Sequence, residues 1–334
     1  MTRIRPAADA RGAQRLGETM KAAAMTKVGP PQVLKLQQLP RPEIGPDDVL
    51  IAVQACGVGV WDVDVRKGWW PSGRPTFPLV LGSDGAGVVV AKGSRVRRLD
   101  VGDQVWAHEF LNPKGGFYAQ FAAVPAAHAA RIPKRLDLLH AGATAATALT
   151  AQQGVDDILR LRRGETVLVF GATGAVGTLA VQFARSRGAR VVATATGLKA
   201  KRLVKSLGAT DTFDARAGDA IARLRAIAPS GLDAVLAFAG GAILDACLDL
   251  VKPGGRVALP NGVEPVPIRG RRKITIASYD ADDNPQLYSR LERAVEKARL
   301  TVPIAAVYPL ARAADAYRAV LAGARERVVL DPTL

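Results

Sequence analysis

The stretch "TVLVFGATGAVGTLAVQFA", residues 166–184, runs an apolar strand pattern straight into Gly171, Gly174 and Gly177 and out again into a helical pattern. A strand that turns into a helix through glycines gathers backbone N–H groups and the positive end of the helix at one loop, where a pyrophosphate can sit. Against the G-x-G-x-x-G fingerprint the spacing is Ala172-x-Gly174-x-x-Gly177, with alanine in place of the first glycine. Such a motif says little alone, and it can be a plain structural turn. Between a buried strand and a helix, within a strand–helix–strand series, it predicts dinucleotide binding. The loop contacts it predicts are Gly171, Thr173, Gly174, Ala175, Val176 and Gly177.

The surroundings supply that series. From about 143 onward apolar strands at 166–170, 190–195, 211–215, 233–240, 255–260 and 274–279 alternate with helical segments such as "LKAKRLVKSLG" and "DAIARLRAIA". This alternation implies a parallel sheet covered by helices on both faces. Upstream, from 20 to about 130, the signals are short and strand-like (48–58, 86–93, 103–110, 119–126) between Pro- and Gly-rich turns, which reads as an all-β or barrel-like module. A helix over 286–300, a strand over 305–310, a helix over 312–323 and a strand over 327–331 close the chain. They are expected to return to the first module, leaving the parallel sheet as an insertion.

The second strand of the series continues as "VVATATGLKAKR" (191–202) and ends without Asp or Glu. An acid about twenty residues after the glycines would bind the ribose 2′-OH of NAD, whereas small polar residues with nearby cations suit a 2′-phosphate. Thr194, Thr196 and Gly197, followed by Lys199, Lys201 and Arg202, therefore predict NADP(H). The missing acid is the firmer part, because each cation taken alone also reads as a solvated helix face.

The whole chain has 334 residues and a formal net charge of +16. Arg is scattered rather than gathered in a tract, which reads as a generally basic surface, with RNA as the less favoured partner. Cys56 and Cys247 lie far apart, and His108, His128 and His140 show no ligand spacing, so neither disulfide nor metal is expected. No apolar run reaches the roughly 18 residues of a membrane span. The cytoplasm is the expected compartment. Residues 1–19 are basic and precede the first regular patterning at Met20, so they read as a disordered tail rather than a targeting peptide.

A set of motifs in one order resembles the medium-chain dehydrogenase/reductase superfamily, in its zinc-independent quinone oxidoreductase (zeta-crystallin-like) branch. They are "ACGVGVWDVDVRKG" (55–68), "FPLVLGSDGAGVVVAKGSRV" (77–96), "VGDQVW" (101–106), "GGFYAQFAAVP" (115–125), the glycine-loop stretch, "KPGGRVALPNG" (252–262) and "YPLARAADAYRAV" (308–320). The resemblance implies a Rossmann-type doubly wound parallel sheet domain, residues 143–300, inserted in a GroES-like β-rich catalytic domain made of 20–142 and 301–334. It also implies a homodimer that passes hydride from NADPH to a quinone or an α,β-unsaturated carbonyl in the interdomain cleft. The alternatives are an enoyl-thioester reductase of a biosynthetic pathway and an NADPH-regulated RNA-binding protein with little catalysis.

Zinc enzymes of this superfamily carry a Cys and a His-Glu pair where this chain has Gly59 and Ser83-Asp84. Glycine and serine supply neither thiolate nor imidazole, so a zinc-free site is expected. Three departures from the branch concern the pockets. Many relatives have Asn where Gly59 stands, so a polar contact is expected to be lost. Trp69 and Trp70 stand near a tyrosine of the relatives, and Gly59, Trp69, Trp70 and Ser83 are the substrate-pocket candidates, with no catalytic acid assigned. Ala215 replaces a tyrosine over the cofactor phosphate, and Arg216 is the candidate substitute. Thr150, Phe238, Asn261 and Gly262 match cofactor-lining positions. Asp62 reads as a helix cap, and His108-Glu109 as a strand end.

Overall fold

The protein is described by a computed structural model covering residues 17–70, 74–267, 273–282 and 285–334. The tail expected over 1–19 lies outside the described residues as far as residue 16. Along the chain come β1 (Thr19–Met25), β2 (Lys35–Pro40), β3 (Asp48–Gly57), α1 (Val60–Lys67), β4 (Leu79–Val80), β5 (Asp84–Lys92), β6 (Gln104–His108), β7 (Phe121–Pro125) and β8 (Ala129–Arg131). Two helices, α2 (Leu138–Gly142) and α3 (Ala145–Gln153), lead through a π-helical turn (Gly154–Ile158) into the second lobe. That lobe alternates β9 (Thr166–Phe170), α4 (Ala175–Ser186), β10 (Arg190–Thr194), α5 (Gly197–Leu207), β11 (Asp211–Phe213), α6 (Ala220–Ile227), β12 (Leu232–Ala237), α7 (Ala242–Leu248), β13 (Val251–Pro260), β14 (Thr275–Tyr279) and α8 (Pro285–Ala298). β15 (Ile304–Pro309), α9 (Ala313–Leu321) and β16 (Arg327–Asp331) end it.

The second lobe is one six-stranded sheet in the order β11-β10-β9-β12-β13-β14, and every pairing in it is parallel. The two-residue side-chain period of a strand splits β9 between two cores. Val167 and Val169 face α3, α4, α5 and α8, while Leu168 and Phe170 face α6 and α7. Both faces are buried, which is why the run is apolar without alternation. Full burial of each such side chain stabilises by about 1.5–3 kcal/mol. Val169→Asp would place an unpaired charge in the larger core.

The first lobe combines the three-stranded sheet β2-β1-β4 with a seven-stranded sheet in which β16 pairs antiparallel with β3. The last strand thus returns to the first lobe, and the parallel sheet is an insertion. The core beneath α3 and α8 continues across the junction, where Trp106 meets Tyr288 edge-on with centroids 6.2 Å apart. No helix among the described residues is long and apolar enough to cross a membrane.

Candidate functional site

The order of the parallel sheet reverses direction between β9 and β12, and ligands of such sheets bind where the strand ends diverge. An open cleft of about 430 Å³ lies there, lined by Gly171 and Thr173 after β9, Thr194 and Thr196 on and after β10, Ala215 and Arg216 after β11, and the turn 239–243 after β12. Gly171 adopts φ +83°, which favours glycine, and its N–H donates to the Thr194 hydroxyl at 2.8 Å. That bond ties the loop to the neighbouring strand. A Cβ on Gly177 would stand 2.2 Å from the Gly171 carbonyl oxygen, so only glycine lets α4 start this close to the loop. The first N–H groups of α4, at Ala175, Val176 and Gly177, have no partner inside their own helix by its geometry. The loop and the helix start therefore fit a dinucleotide pyrophosphate.

At the far end of the cleft β10 ends without an acid, yet the fold brings one from the next strand. Asp214 accepts from the Arg216 N–H at 2.9 Å and from the Thr196 hydroxyl at 2.7 Å. These bonds, with nearby Lys201 and Arg216, hold its carboxyl below the usual carboxylate range. Both bonds fall on Oδ1, and Asp214 does not line the cleft, whereas Arg216 does. Lys199 is exposed on the first turn of α5, Lys201 is half-buried, and neither lines the cleft.

A second cation there escaped sequence reasoning. Arg325, on the segment between α9 and β16 of the other lobe, reaches across and donates to the Thr196 carbonyl at 3.1 Å. It lines the same cleft. Nothing in the sequence signals this, because the contact joins residues 129 positions apart. The turn after β12 was also missed, although Gly240-Gly241 is a local signal for backbone close to a ligand.

The remaining cofactor candidates lie around the strand ends. Phe238 packs beside Gly171, and its N–H donates to the Phe170 carbonyl at 2.8 Å. Thr150 turns its hydroxyl back onto the Ala146 carbonyl at 2.9 Å, and its own carbonyl accepts from the Tyr279 hydroxyl at 2.8 Å. The Asn261 side chain donates to Asp280 at 2.7 Å, and Gly262 turns the chain with φ +85°. Gly197 opens α5, also at positive φ.

In the first lobe Gly59, Asp62 and Ser83 come together. A Cβ on Gly59 would lie 2.3 Å from the Trp61 indole, so the missing side chain is what lets that ring fold back. The Trp61 Nε1–H donates to the Ser83 hydroxyl at 2.7 Å. Ser83 in turn donates to Asp62 at 3.3 Å, and the other Asp62 oxygen accepts from the Tyr118 hydroxyl at 2.8 Å and the Gly59 N–H at 3.1 Å. The last bond is the helix cap the sequence suggested. Burial pushes the Asp62 carboxyl up to about 6 against these lowering hydrogen bonds.

Asp62 and Ser83 line a small cavity of about 20 Å³, room for about one water, whose other walls include Trp70, Leu79 and Leu111. Trp69 is not on that wall; it is exposed and packs against Phe110 with ring centroids 6.2 Å apart. His108 contacts the Ser83 carbonyl through Nδ1 at 3.0 Å, and Glu109 pairs with His128. Beside Ser83, Asp84 is fully buried and pairs with the buried Arg327 at 3.2 Å. It also accepts from the Ala146 N–H at the start of α3, which joins the last strand to the junction between the lobes. Among the described residues no three His, Cys, Asp or Glu side chains gather as a metal-binding group.

Comparison with known proteins agrees with this layout. Residues 45–134 match the alcohol dehydrogenase GroES-like domain family, and residues 175–267 match the zinc-binding dehydrogenase family. The quinone oxidoreductase of Lama guanicoe is 31% identical over 326 residues, covering 93% of this chain and 97% of its own. The solved structure of an NAD-dependent alcohol dehydrogenase superposes with a TM-score of 0.86 at 31% identity, over 93% of this chain and 99% of that one. The mycobacterial protein Rv1454c, solved in complex with NADPH, superposes with a TM-score of 0.81 at 28% identity, over 94% of this chain and all of that one.

Proposed function

The chain belongs to the medium-chain dehydrogenase/reductase superfamily, in its quinone oxidoreductase branch, an enzyme family working with a nicotinamide cofactor, and from that premise we propose that it reduces a quinone or an α,β-unsaturated carbonyl with NADPH. The observation that carries the choice of NADPH is the ribose end of the cleft. There Arg216 and Arg325 line the wall, while Asp214, held through Oδ1 by Thr196 and the Arg216 N–H, is not among the lining residues. A 2′-phosphate would meet two guanidinium groups on the wall of such a place.

The residues divide by role. The backbone from Gly171 and Thr173 through Gly174, Ala175, Val176 and Gly177 would hold the pyrophosphate. Thr194, Thr196 and Gly197 would hold the adenosine ribose, with Arg216 and Arg325 on its phosphate and Lys199 and Lys201 farther out. Thr150, Phe238, Asn261 and Gly262 would border the nicotinamide half. When bound, the reduced nicotinamide supplies a hydride. Gly59 and Ser83 offer no zinc ligands, so an acceptor that takes hydride readily, without a Lewis acid, fits this chemistry.

Steady-state oxidation of NADPH and NADH against a panel of quinones, enones and enoyl thioesters tests this reading. Preference for NADPH with quinone or enone turnover is expected. Turnover with NADH alone, or activity confined to enoyl thioesters, would refute the cofactor or the acceptor part respectively. Light scattering after size exclusion tests the homodimer.

A further inference from the structure

The ribose end of the cofactor cleft is built from both lobes. Arg216 follows β11 of the second lobe, whereas Arg325 stands between α9 and β16 of the first, and both line the cleft beside Thr196. Other hydrogen bonds between the lobes gather at α3, α4 and α8. Asp84 accepts from the Ala146 N–H, Gln182 exchanges bonds with the Thr301 backbone, and Glu296 accepts from the Arg135 N–H. The bond from Arg325 to the Thr196 carbonyl, 3.1 Å, lies elsewhere, at the strand ends that line the cleft.

Arg325 is anchored on both sides along the chain. Helix α9 ends at Gly323, with φ +85°, and the Ala324 N–H returns to the Ala319 carbonyl at 3.1 Å, a helix end that fixes the direction in which the chain leaves. Two residues beyond Arg325, Arg327 is 3% exposed, pairs with Asp84 and donates to the Ala143 carbonyl at the junction of the lobes. A pull on the Arg325 side chain is therefore passed to the first lobe. The bond to Thr196 uses Nη1, and Arg325 forms no ion pair among the described residues. A guanidinium has five N–H groups, so several are left for an anion.

Resting on the NADPH reading above, we propose that Arg325 is a specificity-determining residue that reads the cofactor 2′-phosphate from the opposite lobe, so that the phosphate fixes the spacing of the lobes as well as holding the nucleotide. Arg216 meets the same phosphate from the lobe that already carries the nucleotide, and contributes affinity alone. An acceptor in the cleft lies between the nicotinamide on the second lobe and the walls of the first, and hydride transfer needs the reacting atoms roughly 3–3.5 Å apart. Lobe spacing thus enters the rate. NADH, with a hydroxyl in place of the phosphate, leaves Arg325 without its anion. Discrimination between the two cofactors is then expressed in the hydride step, where the glycine loop cannot act because both cofactors share the pyrophosphate.

The test uses adenosine 2′,5′-bisphosphate and AMP, which differ by the 2′-phosphate and lack nicotinamide. Spin labels are placed at Lys35→Cys on β2 and Arg225→Cys on α6, both exposed positions, while Cys56 and Cys247 are buried. Saturating bisphosphate should narrow the distribution of distances between the labels, and AMP should not. Arg325→Ala should abolish the narrowing and Arg216→Ala should keep it. Arg325 is exposed, so its removal leaves both cores intact. In single-turnover oxidation by 1,4-benzoquinone at saturating NADPH, Arg325→Ala should slow the reaction about tenfold, the scale of one lost charge-assisted hydrogen bond, to the rate seen with NADH. Arg216→Ala should reach the unmodified rate once saturated. Equal affinity for the bisphosphate and AMP would strike the NADPH reading, and this inference with it. Tighter binding of the bisphosphate with label distances indifferent to it, or an unmodified single-turnover rate in Arg325→Ala, would overturn the coupling alone.

Discussion

The cofactor cleft and the first-lobe pocket are built from different materials. In the cleft the work falls to backbone: the Gly171 turn, the free N–H groups of α4 and the close approach at Gly177. In the pocket it falls to side chains brought together from α1, the β4–β5 connection and the segment before β7, with Trp61, Asp62, Ser83 and Tyr118 in one hydrogen-bonded chain. Backbone sites demand glycine at fixed spacing and so leave a local signature, whereas side-chain sites assemble across the fold and leave none. The contrast also sets how each region should fail when altered.

The largest effect is expected where backbone has no room to move. In Gly177→Val the new Cβ would meet the Gly171 carbonyl oxygen and the Ala172 backbone, neither of which is a flexible side-chain end. NADPH affinity should fall by more than about 100-fold, equivalent to ~2.8 kcal/mol, by calorimetry. The first lobe should keep its fold. Affinity within a few-fold of the unmodified protein would show that the cradle is not where the cofactor lies.

Next comes Asp62, where the pocket differs most from the cleft because a carboxyl is buried. Its folded value of about 6 lies above its ordinary 3.8, so its ionisation costs stability. That contribution is fully present below about pH 4 and is lost as pH rises through 6. At 1.36 kcal/mol per unit the loss is at most about 3 kcal/mol. Urea denaturation should therefore show the unmodified protein losing stability relative to Asp62→Asn between pH 4 and 6, and no further change above. A difference independent of pH would mean that Asp62 does not titrate in that window.

The same contrast explains what could be read from the chain. The parallel sheet was legible because β9, β10, β12 and β13 are buried on both faces and their helices carry one apolar stripe each. In the first lobe β1 was missed because its "AAA" run suits a helix as well as a strand. Helix α1 was signalled only through Asp62 as its cap, because Val60, Val63 and Val65 favour strands. The glycine loop could be found from spacing, but Arg325 and the Trp61–Ser83 bond could not, since both depend on residues made neighbours by the fold. Gly59 shows the limit most clearly. Read as a lost contact, it is the space that admits the Trp61 indole.

At the ribose end the cleft itself uses side chains, so its alteration should resemble the pocket's graded response. Arg216→Ala and Arg325→Ala should each weaken NADPH about tenfold, or ~1.4 kcal/mol, and leave NADH nearly unchanged. The Lys199→Ala, Lys201→Ala double variant should do less, since neither lysine lines the cleft. Equal losses for both cofactors in the arginine variants would mean that the guanidinium groups serve the fold and not the phosphate.

The smallest expected effect lies on the acceptor side. Trp70 is partly buried against Leu79 and Leu111 and forms a wall of the cavity, while Trp69 is outside and spends its ring on Phe110. A flat acceptor resting on Trp70 would gain ring contact worth about 1 kcal/mol beyond its buried area. Trp70→Ala should thus raise KM several-fold for naphthoquinone while leaving a small aliphatic enone and NADPH affinity unaffected, and Trp69→Ala should change less. Equal KM changes for the two acceptors would remove the ring from the acceptor's contacts and leave Trp70 as packing.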